Sequence, residues 1–387
     1  MLSLFLIFKA FCCLLTLFYC LLMGIYITGW LCLPGWRVAA GFKPQTPVTI
    51  IIPARNEQAH IVACLRAVML QQYPPHLLEI MVVDDHSDDN TAALAQEMAQ
   101  LCPQIKVLRL ADFMPDAQPV NAYKKKAIET GIQHSSNPLI ITTDADCVAA
   151  PQWLNTLVGF YEQYRPQLIA APVCFTNERT FFERFQTLDF MGMMVTTGAM
   201  AYLHTGNMCN GANLAYTRHA FETVGGFKDI DHLASGDDML LMAKIARKYP
   251  GGVRFLKNYG ATVFTCAQPT LQAFVNQRVR WASKSGQYPD AGITASLILV
   301  FLFNLLLLFN FTACLSGAFN LCMIVAMQFA AKCIADFIYL TVGARFFGRC
   351  KLLWLFLPAQ LLHIVYIAVI GIWGNLGKYT WKGRTVK

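Results

Sequence analysis

The stretch "VTIIIPARNEQAHIVACLRAVMLQ" (48–71) opens with a β-branched apolar run that ends in a proline and polar residues. Apolar positions then recur at helical spacing. The pattern repeats downstream: "LEIMVVDDHSDDN" (78–90) reads as strand and loop, "TAALAQEMAQL" (91–101) as helix and "IKVLRL" (105–110) as strand. Strands alternating with helices predict an α/β domain around a mostly parallel, buried sheet. Ligands in such sheets bind beyond the carboxyl ends of the strands, so the polar residues just after each strand become the candidates for chemistry.

This texture holds from about Gly41 to Pro289, and 42–289 is taken as one α/β domain. Outside it the chain is far more apolar. Residues 2–33 carry one charge, Lys9, and 291–342 carry only Lys332 and Asp336. About 20 such residues cross a bilayer's hydrocarbon core. A transmembrane anchor over 1–33 is expected rather than a cleaved signal peptide, because the apolar run exceeds the usual h-region of about 7–15 residues. The segment 291–376 holds two to three further spans. The last of them contains Pro358, Gln360 and His363, so a re-entrant helix stays open for it.

A cytoplasmic domain with one span before it and three after would place the C-terminus outside. The tail 377–387, "GKYTWKGRTVK", has four basic residues and no acid, which argues for the inside. One span is then overcounted, and the last is the first suspect. The net charge of +8 suits an anionic cytoplasmic leaflet and phosphate esters. No basic stripe interleaved with aromatics points to nucleic acid. The 14 cysteines include no CxxC pair and are scattered, so buried thiols in a reducing compartment are expected.

Three acidic loops follow the strand-end rule: Asp84, Asp85, Asp88 and Asp89; then Asp144 and Asp146 in "TTDADCV"; then Asp237 and Asp238 in "SGDDMLL". Carboxylates gathered this way repel one another unless a cation or a donor-rich ligand joins them, which suits Mg²⁺, Mn²⁺ or a ribose. Each signal also has a plainer reading. Asp-x-Asp is a common polar turn, and Asp89 or Asn90 fits a helix cap. The lysines of "AYKKKAIETGI" fit a solvated face or a phosphate contact, and Arg278, Arg280 and Trp281 fit an interfacial belt. For Asp237 and Asp238, cap, metal ligand and catalytic base all remain open at this point.

Order and spacing are more telling. "IIIPARNE", "VVDDHSDD", "TTDADC", "GANLAY", "SGDDMLL" and "QRVRW" occur in the sequence in which they occur in family 2 glycosyltransferases. Over about 46–285 the chain resembles that family, inverting nucleotide-sugar enzymes with a GT-A fold, in its membrane-integrated, cellulose/hyaluronan-synthase-like branch. The resemblance implies an α/β GT-A domain flanked by transmembrane helices, and a metal-dependent hexosyltransferase in the cell (inner) membrane with a cytoplasmic catalytic domain. The donor is expected to be UDP-linked, and the acceptor a lipid, a lipid-linked glycan or a polysaccharide.

By the same resemblance, Ala54, Glu57 and Asp85 contact the nucleoside, Lys124 the diphosphate, Asp144 the ribose and the metal, and Asp146 the metal directly. Gly211 and Asn213 belong to the acceptor-side segment, and Gln277, Arg280 and Trp281 to a lip over the acceptor and diphosphate. Asp238 is the base and Asp237 its supporting acid. Two departures stand out: Gly236 and Asp237 replace Thr-Glu, and Glu129 stands where the family often has Asn. The Phe- and Met-rich segment 178–200 reads equally as a membrane-facing helix or a core helix. The competing reading is a catalytically silent membrane scaffold, which the presence of Asp144, Asp146 and Asp238 argues against.

Overall fold

The structure is a computed structural model that describes residues 2–114, 122–233, 236–283, 290–374, 379–381 and 384–386. A long apolar helix α1 (Leu2–Cys32) leads into β1 (Val48–Ala54), α2 (Ile61–Met69), β2 (Leu78–Asp84), α3 (Thr91–Leu101) and β3 (Ile105–Arg109). Next come α4 (Tyr123–Gln133), β4 (Leu139–Thr142), β5 (Val148–Ala149), α5 (Trp153–Tyr164), β6 (Leu168–Ala170), β7 (Val173–Thr176) and α6 (Phe181–Leu203). They are followed by β8 (Leu214–Thr217), α7 (Arg218–Thr223), α8 (Met239–Lys248), β9 (Val253–Phe255), β10 (Val263–Cys266) and α9 (Leu271–Ala282). The chain ends in α10 (Ala291–Leu315), α11 (Cys322–Phe346) and α12 (Phe356–Trp373), with a short hairpin of Tyr379–Trp381 and Arg384–Val386.

Seven strands form the main sheet in the order β3-β2-β1-β4-β8-β6-β9, and β8 alone runs antiparallel to its neighbours. The mostly parallel α/β sheet predicted from the sequence is therefore present. β1 is buried along nearly its whole length, as a parallel strand covered on both faces must be. Because β4 and β8 are antiparallel, with Thr142 opposite Leu214, the residues entering β8 lie beside those leaving β4. That register brings Gly211 beside the end of β4, where its carbonyl accepts from the Thr142 hydroxyl at 3.2 Å. A second sheet, β5-β10-β7, supports the same loop from the other side.

Among the described residues, four helices are long and apolar enough to cross a membrane: Leu4–Cys32, Ala291–Leu315, Phe319–Phe346 and Cys350–Trp373. They are fastened to the α/β domain by α6. Gly198 lets α6 close on Trp30 of α1, and Gly192 lets it close on Tyr339 of α11. The segment 178–200 is thus a buried helix between the domain and the helical bundle, which resolves its two readings into one element. Lys257 completes the attachment by donating to the carbonyls of Trp30 at 2.5 Å and Leu33 at 3.0 Å, the otherwise orphaned end of α1.

One expectation needs correcting. Cys314 and Cys322 form a disulfide, because the short turn between α10 and α11 brings their Cα atoms to 5.5 Å. The other twelve cysteines are free thiols.

Candidate active site

The site assembles at the carboxyl ends of β1, β2 and β4. Asp84 ends β2, and the backbone N–H of Asp85 donates to the Ala54 carbonyl at 2.8 Å, which welds the first two loops together. Asp85 is 2% exposed and lies 3.0 Å from Nδ1 of His86. Arg55 donates to the carbonyls of Asp85 and His86 at 2.8 and 2.7 Å, holding the loop from below. Glu57 sits at the same rim, with its N–H on the Thr91 hydroxyl at 2.7 Å and its carbonyl starting α2. Asn56 and His86 both take positive φ, 50° and 51°, so the rim is built from a sparsely populated backbone conformation.

Of the two helix-cap candidates, Asp89 acts. Its Oδ1 accepts from the Thr91 N–H at 3.0 Å and from the Thr91 hydroxyl, whereas Asn90 makes no side-chain cap bond. Burial pushes the Asp89 carboxyl up, but these donors outweigh it and hold the group below the usual carboxylate range.

Lys124 is the hub. Its ammonium is 2.6 Å from Asp144 Oδ1 and 3.2 Å from Asp237 Oδ2, so one cation joins the loop after β4 to the loop before α8. Burial pulls its pKa down, yet Asp144, Asp237 and Asp238 together hold it above the ordinary lysine value. Lys124 therefore stays charged throughout the working range.

Asp238 caps α8. Its Oδ1 accepts from the Met239 N–H at 2.7 Å and its Oδ2 from the Gly211 N–H at 3.1 Å, which fixes the plane of the carboxylate. Gly211 is favoured by close approach: a Cβ there would lie 3.2 Å from Asp237 Oδ2 and 3.4 Å from Lys124 Nζ, so either side chain would have to give by a few tenths of an ångström. Gly236 sits at φ +80°, which gives a backbone reason for glycine where the family has threonine.

Asp144, Asp146 and Cys147 place their ligand atoms within 4.8 Å of one another. Thr265 on β10 reaches Asp146 Oδ2 at 3.4 Å. Burial and then the two aspartates raise the Cys147 thiol well above its usual value, and the thiol donates to Asp146 Oδ1 at 3.4 Å. The two hard carboxylates fit Mg²⁺ or Mn²⁺.

Not every expected residue offers its side chain to the carboxylate cluster. Asn213 is fully buried, takes Trp153 Nε1–H at 2.9 Å, and donates to the carbonyls of Pro172 at 2.7 Å and Ala261 at 2.8 Å. Its side chain is occupied by the framework, so it braces the strands and is not available to a ligand. Ala54 is 1% exposed and has only its backbone to offer. Gln277, Arg280 and Trp281 share one face of α9, but among the described residues no hydrogen bond or ion pair ties them to the carboxylates. Arg278 is buried against Asp189 at 2.8 Å and does not snorkel.

The lysine run also differs from a solvated face. Lys125 is 2% exposed and donates to the carbonyls of Ile230 at 2.5 Å and Leu233 at 2.8 Å, while Lys244 holds Gly226 and Lys228. The two lysines pin the loop that leads to Asp237 and Asp238. Helical phase alone does not distinguish Lys125 from its two identical neighbours, because its partners lie 105 and 108 residues away. Glu129 approaches Gly226 and pairs with Lys126 at 3.7 Å, away from the carboxylate cluster.

Comparison with known proteins accords with this geometry. The family described as glycosyl transferase family 2 matches residues 49–225, and the one described as glycosyl transferase family group 2 matches 139–368. The chain is similar to glycosyltransferase AglE of Haloferax volcanii, 31% identical over 194 residues, which is 50% of this chain and 59% of that protein. It is also similar to a Synechocystis beta-monoglucosyldiacylglycerol synthase, 25% identical over 197 residues, 49% of this chain and 39% of that one. The chain thus spans well under two thirds of either relative. The fold resembles that of a solved mannosyltransferase from Pyrobaculum calidifontis in complex with GDP-Man and Mn²⁺, with TM-score 0.56 and 20% identity over 94% of this chain and 99% of that one. With the second family match covering more than half its length, the chain belongs to the family 2 glycosyl transferases, built on a GT-A fold.

Proposed function

We propose that this chain is an inverting, metal-dependent glycosyltransferase that moves a hexosyl group from a nucleoside-diphosphate sugar to a lipid or lipid-linked acceptor at a membrane. One observation carries the reading: Lys124 joins Asp144, on the donor side, to Asp237, the immediate neighbour of Asp238. Donor loop and base loop are thereby parts of one charged network.

Asp238, fixed by two backbone N–H groups, takes the proton from the acceptor hydroxyl. The hydroxyl oxygen attacks the anomeric carbon while the bond to the diphosphate breaks on the opposite face, so configuration inverts. Base assistance of this kind is worth about 10²–10⁴-fold. Asp237 orients the acceptor, and Lys124 meets the charge that grows on the leaving diphosphate. Asp144 and Asp146 would hold a divalent cation, which supplies further charge neutralisation to that leaving group. Ala54, Glu57 and Asp85 line the nucleoside end, and Gln277, Arg280 and Trp281 the acceptor side. The solved relative contains GDP-Man and the sequence motifs fit a UDP-linked sugar, so the base of the donor is a matter for direct assay.

The lipid acceptor draws support from the glucosyldiacylglycerol synthase among the relatives and from the four apolar helices. Contacts at helix ends support one orientation. Asp290, at the start of α10, binds Asn207 of the catalytic domain, and at about 1.5 Å per residue Cys314 lies roughly a bilayer away. A disulfide there suits an oxidising exterior, which supports a cytoplasmic catalytic domain. Both ends of the last apolar segment return to that domain: Arg349 pairs with Glu178 before α12, and Gly374 after it packs on Ala282 with no room for a Cβ. A re-entrant α12 would put the basic tail inside and remove the overcounted span.

The test is nucleotide release and lipid labelling by purified membranes offered UDP-, GDP- and dTDP-sugars, with Mn²⁺ or with chelator. Transfer to lipid from one donor class, lost on chelation, is expected. No turnover with any donor would favour the scaffold.

A further inference from the structure

The geometry points to Asp189 and Arg278 as positioning residues that mount the α9 face bearing Trp281 on the membrane bundle, and so set acceptor affinity. Asp189, on α6, is 6% exposed at its side chain and accepts twice: from Arg278 Nη2 at 2.8 Å and from the Tyr366 hydroxyl of α12 at 2.7 Å. Arg278, 4% exposed, lies between two rings of its own helix, 4.8 Å from the Phe274 centroid and 4.3 Å from that of Trp281. Its Nε and Nη1 have no hydrogen-bond partner among the described residues. The guanidinium is therefore placed by one carboxylate and two ring faces, and the indole of Trp281 is braced by the guanidinium in return.

The brace does not stop at α6. His363 Nε2 is 3.9 Å from Asp189 and its Nδ1 3.4 Å from Lys332, whose ammonium is 2.6 Å from Asp336. Asp336 also accepts from Tyr19 at 2.6 Å and Gln360 at 3.0 Å. A polar chain, buried except at the partly exposed His363, thus runs from α9 through α6, α12 and α11 to α1. A buried ion pair is weak evidence for stability, because desolvation offsets attraction, but it does enforce one geometry on the elements it joins. Here that geometry fixes Trp281 and leaves the Asp144–Lys124–Asp237 network untouched.

This inference rests on the reading of Trp281 as an acceptor contact, so the test has two independent arms on the full chain in lipid nanodiscs. The first is acrylamide quenching of Trp281 emission, taken as protein minus Trp281→Phe. Asp189→Asn and Arg278→Lys should each raise the quenching constant about twofold, since the pair or the ring stacking is lost. The second arm is steady-state kinetics: acceptor KM should rise about tenfold with donor KM within about twofold, a split that general destabilisation does not produce. Tyr366→Phe, which removes one hydroxyl, should shift acceptor KM in the same direction by about threefold and covers the case in which Asp189→Asn fails to fold. Unchanged Trp281 quenching in every folded variant, or equal changes in both KM values, overturns the proposal. If the wild type transfers no sugar, the functional reading falls while the quenching arm still judges the brace.

Discussion

At Asp238 a single carboxylate serves as helix cap and candidate base at once, so its replacement separates two effects. The cap bonds are worth about 1 kcal/mol, whereas loss of the base costs two or more orders of magnitude in rate. Asn213 should behave oppositely. Asn213→Ala strips partners from Trp153 and two buried carbonyls, and about 2–4 kcal/mol of stability should go, read as a lower melting temperature with donor KM unchanged in the folded fraction. Asp89 gives a pH test. Its carboxyl is lowered in the folded state, so its contribution is present above the unfolded value of about 3.9 and is lost as pH falls through the folded value. The melting-temperature gap between wild type and Asp89→Asn should therefore close on acidification below about pH 4.

Carboxylates gathered at strand ends marked all three acidic loops in the sequence, and the family resemblance gave Asp144, Asp146 and Asp238 their expected roles. It could not separate Asn213 from a ligand contact, since a Gly-x-Asn segment reads the same whether its amide faces a cleft or a tryptophan. Nor could it assign Lys125, whose role depends on two carbonyls from a distant loop.

Among the elements, strands were legible where apolar runs met polar stops: β1 and β2 begin and end as the residue pattern indicates. The reversal of β8 was not, because antiparallel pairing leaves no mark on a four-residue buried strand. That reversal positions Gly211, and Gly211→Ala should cut turnover by about tenfold or more through displacement of Asp237 or Lys124, measurable with little change in melting temperature. The last apolar segment is the element composition read least well. Hydropathy counts it as a span; its polar residues and the basic tail left a re-entrant helix open, and the contacts with Glu178 and Ala282 add to that reading. A protease site placed after Lys387 should be cut from the side of the catalytic domain; cutting from the other side would restore a full span.

For the whole molecule, the separation into a charged α/β domain and an apolar bundle was plain from charge spacing, and α6 explains why the two are not independent. That helix packs on α1 and α11 as well as on β7 and β9, so it belongs to both parts. The disulfide adds a check on orientation: after reduction, Cys314 and Cys322 should react with a membrane-impermeant maleimide only from the face opposite the catalytic domain.

If Asp238 is the base and the Lys124–Asp144 side holds the donor, the two roles separate in one measurement: sugar transfer from the active donor to lipid acceptor by wild type and Asp238→Asn, with donor binding measured alongside. A fall in kcat of about 10²-fold or more with donor Kd within about twofold is expected. Full turnover by Asp238→Asn would show that another group is the base.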